Sequence, residues 1–103
     1  VPILPIQILR FVDEHQPGFV ECAFRDANGA EHRFVEKAPV VSLENLSSSS
    51  VYPRAGALAC EVEATWVAND GHALSRISTE RPWGIESTEG LWQFVVRAEC
   101  LQP

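Results

Sequence analysis

Between Ala57 and Ala68 the chain alternates: Leu58, Cys60, Val62, Ala64 and Trp66 fall on one side, and Ala59, Glu61, Glu63 and Thr65 on the other. A period of two over this length describes a half-buried antiparallel strand and fits no helix, whose side chains repeat every 3.6 residues. Such a strand has one apolar face that further strands must cover.

The residues that follow supply the first of them. Asn69-Asp70-Gly71 suits a three-residue hairpin loop with its glycine left-handed, and that loop sets Trp66 opposite Leu74 and Ala64 opposite Arg76 in a strand His72 to Thr79. Upstream, Asp26-Ala27-Asn28-Gly29 repeats the same chemistry between Phe19–Arg25 and Ala30–Val35. A two-residue loop there would put Phe24 against Arg33. A three-residue loop puts Cys22 against Phe34 and Arg25 against Glu31, matching apolar with apolar and charge with counter-charge. Two hairpins are therefore predicted, 19–25 with 30–35 and 57–68 with 72–79.

The remaining segments extend the pattern. In Ile3 to Val12, Leu4, Ile6 and Ile8 alternate before Leu9 and Phe11 take over, a phase slip that predicts a β-bulge near Ile8–Arg10. Pro2 and Pro5 have no amide donor, which places the first half of this strand at an edge or outside the ladder. Pro17-Gly18 suits the centre of a type II turn. Val40-Val41 reads as a short strand, Ser42 to Gly56 as one long loop with a helical turn at Ser42–Leu46 capped by Ser42, and Leu91 to Leu101 as a final strand with Trp92, Phe94, Val96, Ala98 and Cys100 inward. Arg76 falls on the inward face, where it must stack, snorkel or pair with a carboxylate, the nearest by sequence being Glu80 and Glu86.

These strands, joined by tight turns and with no amphipathic helix, predict an all-β fold. A small antiparallel barrel of five to six strands, OB-like, SH3-like or similar, closes the hydrophobic edges that these strands would otherwise expose. With 103 residues the chain fits a single domain spanning 1–103.

Charge narrows the partners. Eight Lys and Arg against fourteen Asp and Glu give a net charge of −6, which opposes phosphate backbones and anionic membranes and favours a protein partner with a basic or neutral surface. Three widely spaced cysteines, Cys22, Cys60 and Cys100, form no Cys-x-x-Cys pair, and each lies on the apolar side of its strand, so all three are expected in the core. His15, His32 and His72 lack metal-ligand spacing. No metal or cofactor is expected. The chain shows no leader pattern and no run long enough to cross a membrane, so a cytoplasmic setting is expected.

One stretch asks for more than folding. Arg81-Pro82-Trp83-Gly84-Ile85-Glu86-Ser87-Thr88-Glu89-Gly90 is a polar connection carrying one large aromatic between two strands. Trp83 either folds back as a lid on the core or is offered to a partner, as hot-spot tryptophans are. Arg76, Arg81, Trp83, Glu86, Ser87, Thr88 and Glu89 are the candidate binding residues. Glu86 and Glu89 form a carboxylate pair, but nothing in the sequence sets the separation or proton affinity that acid–base catalysis needs. The Ser47–Ser50 run has no nucleophile elbow. Catalytic residues are not assigned. The sequence thus favours a non-enzymatic, acidic binding module of inhibitor or immunity type, with a small-molecule or enzyme site at the barrel mouth near residues 76–90 as the alternative. A single-strand nucleic-acid binder suits the barrel but not the charge.

Overall fold

A computed structural model describes residues 1–103. Seven strands run in the order β1 (Ile3–Asp13), β2 (Phe19–Arg25), β3 (Glu31–Lys37), β4 (Arg54–Ala59), β5 (Glu61–Val67), β6 (Ala73–Ser78) and β7 (Gln93–Arg97). A single helical turn, α1 (Ala38–Val41), follows β3, and a 3-10 turn at Ala98–Cys100 follows β7. The fold is all-β, with two antiparallel sheets, one of four strands in the order β3-β2-β1-β4 and one of three in the order β5-β6-β7. The all-β, antiparallel expectation is met, but the sheets do not close into a barrel: no strand ladder joins one sheet to the other.

Both hairpins adopt the registers read from the turns. Cys22 faces Phe34 and Arg25 faces Glu31 across β2 and β3, and Trp66 faces Leu74 and Ala64 faces Arg76 across β5 and β6. Gly29 and Gly71 have φ of 82° and 88°, the left-handed conformation that the three-residue loop demands and that glycine adopts without steric cost. The bulge in β1 falls between Ile8 and Arg10, as the phase slip predicts.

The prolines of β1 have a positional explanation. Ile3 exchanges both backbone hydrogen bonds with Gln102, at 2.8 and 2.9 Å, whereas β2 begins to pair only at Gln7, opposite Ala23. Alternate residues of a strand address the same neighbour, so Pro5 sits between these two points on one edge, where a missing donor leaves nothing unpaired. On its other edge Pro5 lies opposite Ala57 of β4. The first half of β1 is thus an edge on one side only.

The 57–68 strand differs from expectation in a way that shapes the molecule. It breaks at Cys60, so that β4 belongs to the first sheet and β5 to the second, a corner made by one strand switching sheets. Leu58 and Cys60 are buried, but a bulge between Val62 and Ala64 then puts Val62 and Trp66 on opposite faces, both about two-fifths exposed. Inward alternation ends at Cys60.

The same shift turns β6 over. Ser75 and Ile77 face the interior, so Arg76 lies on the outer face and its Nε reaches Glu63 at 3.2 Å, not Glu80 or Glu86. The last strand is also shorter than expected. It ends at Arg97, which leaves Cys100 exposed in the 3-10 turn, and Trp92 precedes it half-exposed; neither joins the core.

Three local expectations are corrected too. Val40-Val41 forms the end of α1 and not a strand, Pro39 entering at the first turn where its missing N–H costs nothing. Ser42 begins no helix but closes α1, its N–H donating to the Ala38 carbonyl at 3.0 Å; its hydroxyl accepts the N–H of Glu44 in a local turn, while Leu46 anchors the long loop in the core. The Pro17 turn closes one residue early, with the Gly18 N–H donating to the His15 carbonyl at 2.6 Å.

The core lies between the sheets. Ile8, Val20, Phe34, Leu58 and Ile77 are fully buried there, and Phe94 of β7 packs edge-on against Phe24 and Phe34 of the first sheet, at centroid distances of 5.2 and 5.8 Å. Two backbone hydrogen bonds add to this packing on the side away from Cys60: Ala27 N–H to Val95 carbonyl, and Thr88 N–H to Arg33 carbonyl, both 2.8 Å.

Candidate functional site

The connection from β6 to β7 is built from its ends inward. Thr79, fully buried, continues the ladder by donating its N–H to the Trp92 carbonyl at 2.9 Å and accepts the Ile85 N–H on its own carbonyl at 3.0 Å. Its hydroxyl donates to the Ile85 carbonyl at 2.7 Å. Ile85 is thereby held on both its backbone groups and is 1% exposed, a plug in the core.

The two arms of the loop close separately. The Gly84 N–H donates to the Glu80 carbonyl at 2.7 Å, closing a turn whose crest is Arg81-Pro82-Trp83, and Gly84 takes φ 63°, which a side chain would oppose. On the other arm, the Ser87 hydroxyl accepts the N–H groups of Glu89 and Leu91, at 3.3 and 3.1 Å, and the Ser87 N–H donates to the Leu91 carbonyl at 2.7 Å. Thr88 then stitches the loop to the edge of β3 through Arg33. The loop is hydrogen-bonded along its length.

These contacts sort the candidate residues. Trp83 is 60% exposed, so the indole stands on the crest of the turn and Ile85, two residues on, does the plugging. Ser87 is buried and serves the loop's own architecture. Arg81, Glu86, Thr88 and Glu89 are exposed along the same loop, and none of the charged members, nor Glu80, takes part in an ion pair. Arg76 stands apart from them, on the outer face of β6 with Glu63, whose Oε1 also accepts from Gln93 at 3.0 Å.

A second polar cluster lies at the β2–β3 hairpin. His32 Nε2 and Asp26 Oδ2 are 2.8 Å apart, and Asp26 Oδ1 accepts the N–H groups of Asn28 and Ala30. Partial burial pushes the Asp26 carboxyl up, but its hydrogen bonds with His32, Ala30 and Asn28 outweigh this and hold it below the usual carboxylate range. His32 Nδ1 is buried with no partner, its ring packed against Phe24 and Phe94. The signal for this pair was present in the sequence, since Asp26 and His32 flank the hairpin loop.

A cavity of about 510 Å³ opens beside that hairpin, between the ends of β1, β2 and β7, and no residue from 76 to 90 lines it. The thiols lie in three settings. Burial, helped by Glu36 and Glu21, pushes Cys22 up to about 12, and burial also raises Cys60, while Cys100 is exposed on the cavity rim. Neither buried thiol is a nucleophile near neutral pH.

Compared with known proteins, the chain matches no family model, no curated protein and no solved structure. No helix is long and apolar enough to cross a membrane.

Proposed function

We infer that this domain is a non-enzymatic, acidic binding module that engages a protein partner through the crest of the β6–β7 loop, in the manner of an inhibitor or immunity-type protein. The observation that carries this reading is Trp83, 60% exposed on a loop that is otherwise hydrogen-bonded and plugged into the core. A large aromatic on a rigid base loses little conformational freedom on binding, and tryptophan is enriched among the residues that anchor interfaces. Along that loop Glu80, Glu86 and Glu89 outnumber Arg81, and none of the four is neutralised by an ion pair. That surplus suits a basic partner and speeds its approach.

The scaffold is read as a partly open barrel. Continuous backbone through Cys60 on one side, and the Ala27–Val95 and Thr88–Arg33 hydrogen bonds on the other, bring the two sheets around one core. Three free thiols support a reducing, cytoplasmic setting.

Affinity capture with immobilised wild-type and Trp83→Ala domains, at low and raised salt, tests the proposal. A partner retained by the wild type, lost by the variant and weakened by salt is the expected result. Equal retention by both domains would refute the loop as the binding surface.

A further inference from the structure

The cavity between β1, β2 and β7 has a composition of its own. Its floor is Leu4, Ile6, Phe24 and Val96, all members of the core cluster, so the hydrophobic interior reaches an opening where no residue plays the part that Ile85 plays in the β6–β7 loop. The opening exists because the β1–β2 ladder starts only at Gln7 and Ala23, leaving Pro5 and Arg25 as its two lips. An apolar floor with a few polar groups at the rim, at a volume of about 510 Å³, is the usual build of a small-molecule site.

The rim charges decide which molecule. Asp26 and Glu31 line the cavity, but both are engaged elsewhere: Asp26 with His32, Asn28 and Ala30, and Glu31 with Arg33 at 3.0 Å. The two cations are less committed. Arg25 spends Nη1 on the Gly29 carbonyl at 3.0 Å, and the one carboxylate near Arg97 is Glu99 at 3.6 Å. A guanidinium has five N–H donors in a planar fork that matches a carboxylate, so donors remain at both residues.

We propose that this cavity binds a small monocarboxylate with an apolar body, such as a medium-chain fatty acid, its chain on the Leu4–Ile6–Phe24–Val96 floor and its carboxylate on the guanidiniums of Arg97 and Arg25. The apolar tail removes exposed core surface from water, and the single negative charge is tolerated by a domain of net charge −6 where a dianion would be repelled more strongly. This site is independent of the Trp83 loop.

Octanoate and its neutral counterpart 1-octanol are the probes, read by calorimetry and by the rate at which Cys100, the one exposed thiol, reacts with a thiol reagent. Octanoate is expected to bind saturably and to slow Cys100 labelling several-fold, with 1-octanol about tenfold weaker or more. Arg97→Gln and Arg25→Gln are each expected to weaken octanoate by about tenfold, the scale of a charge-assisted hydrogen bond. Both side chains are exposed, so the fold tolerates the changes. Arg10→Gln, which breaks a pair with Glu21 away from the cavity, is expected to leave binding unchanged. Absence of saturable octanoate binding, equal binding of 1-octanol, or wild-type affinity in both cavity variants would overturn the proposal.

Discussion

Thr79 Oγ1 donates to the Ile85 carbonyl at 2.7 Å, so a residue at the end of β6 holds the plug of a loop that returns to the sheet only at Trp92. Both residues are buried, so solvent cannot take over the bond once its donor is removed. Ile85→Ala is expected to cost about 2–5 kcal/mol through lost burial and a residual cavity. Thr79→Val keeps the shape but removes the donor, and is expected to cost about 1–3 kcal/mol. Urea denaturation of the two variants checks both values.

The cysteines are expected to separate by exposure. Cys100 should react with a thiol reagent at the rate of a free thiol, while Cys22 and Cys60 should react only on unfolding, because both are fully buried and burial raises both in proton affinity. Mass spectrometry of the native protein during labelling should therefore show one modification first. Early modification at Cys22 or Cys60 would contradict the packing described for β2 and the Cys60 corner.

Asp26 makes the stability depend on pH in the acid range. Its carboxyl is lowered in the folded state, so the unfolded chain binds that proton more readily. The stabilisation is fully present above the ordinary Asp value and is lost as pH falls through the lowered folded value. Asp26→Asn should thus be less stable than the wild type at pH 7, by about 1–3 kcal/mol for the loss of a charged acceptor, and the gap should narrow as pH falls below about 4. A gap that stays constant from pH 7 to pH 3 would contradict this.

Gly56 is held small by its neighbours. A Cβ there would lie 2.8 Å from both Cγ1 and Cδ1 of Ile8, which is fully buried, and 3.0 Å from the Val41 carbonyl oxygen. Gly56→Ala should destabilise the domain by about 1–3 kcal/mol through overpacking, measured by the same denaturation.

What was legible in the sequence follows from which interactions are local. Hairpin registers came through because a three-residue loop and two facing side-chain sets must agree, and Cys22–Phe34 and Trp66–Leu74 satisfy both. The phase slip at Ile8–Arg10 marked its own bulge. The strand switch at Cys60 left no such mark. Alternation through Val62 and Trp66 continues on paper, while the bulge between Val62 and Ala64 reverses the faces, and with them the placement of Arg76. Ile85 is the instructive omission in the loop. A lone aliphatic residue amid Gly84, Glu86 and Ser87 is a signal for an anchor, but the larger Trp83 two residues before it is the one that reads as a lid or as a surface for a partner. Which of the two plugs the core depends on Thr79 and Ser87, whose bonds span six and four residues.

The melting temperature of Trp83→Ala tests the central claim most directly. If Ile85 is the plug and Trp83 the exposed anchor, the change should cost less than about 0.5 kcal/mol and lower the melting temperature by no more than about 4 °C. A fall as large as that of Ile85→Ala would show that Trp83 serves the core, and would contradict its role as a surface offered to a partner.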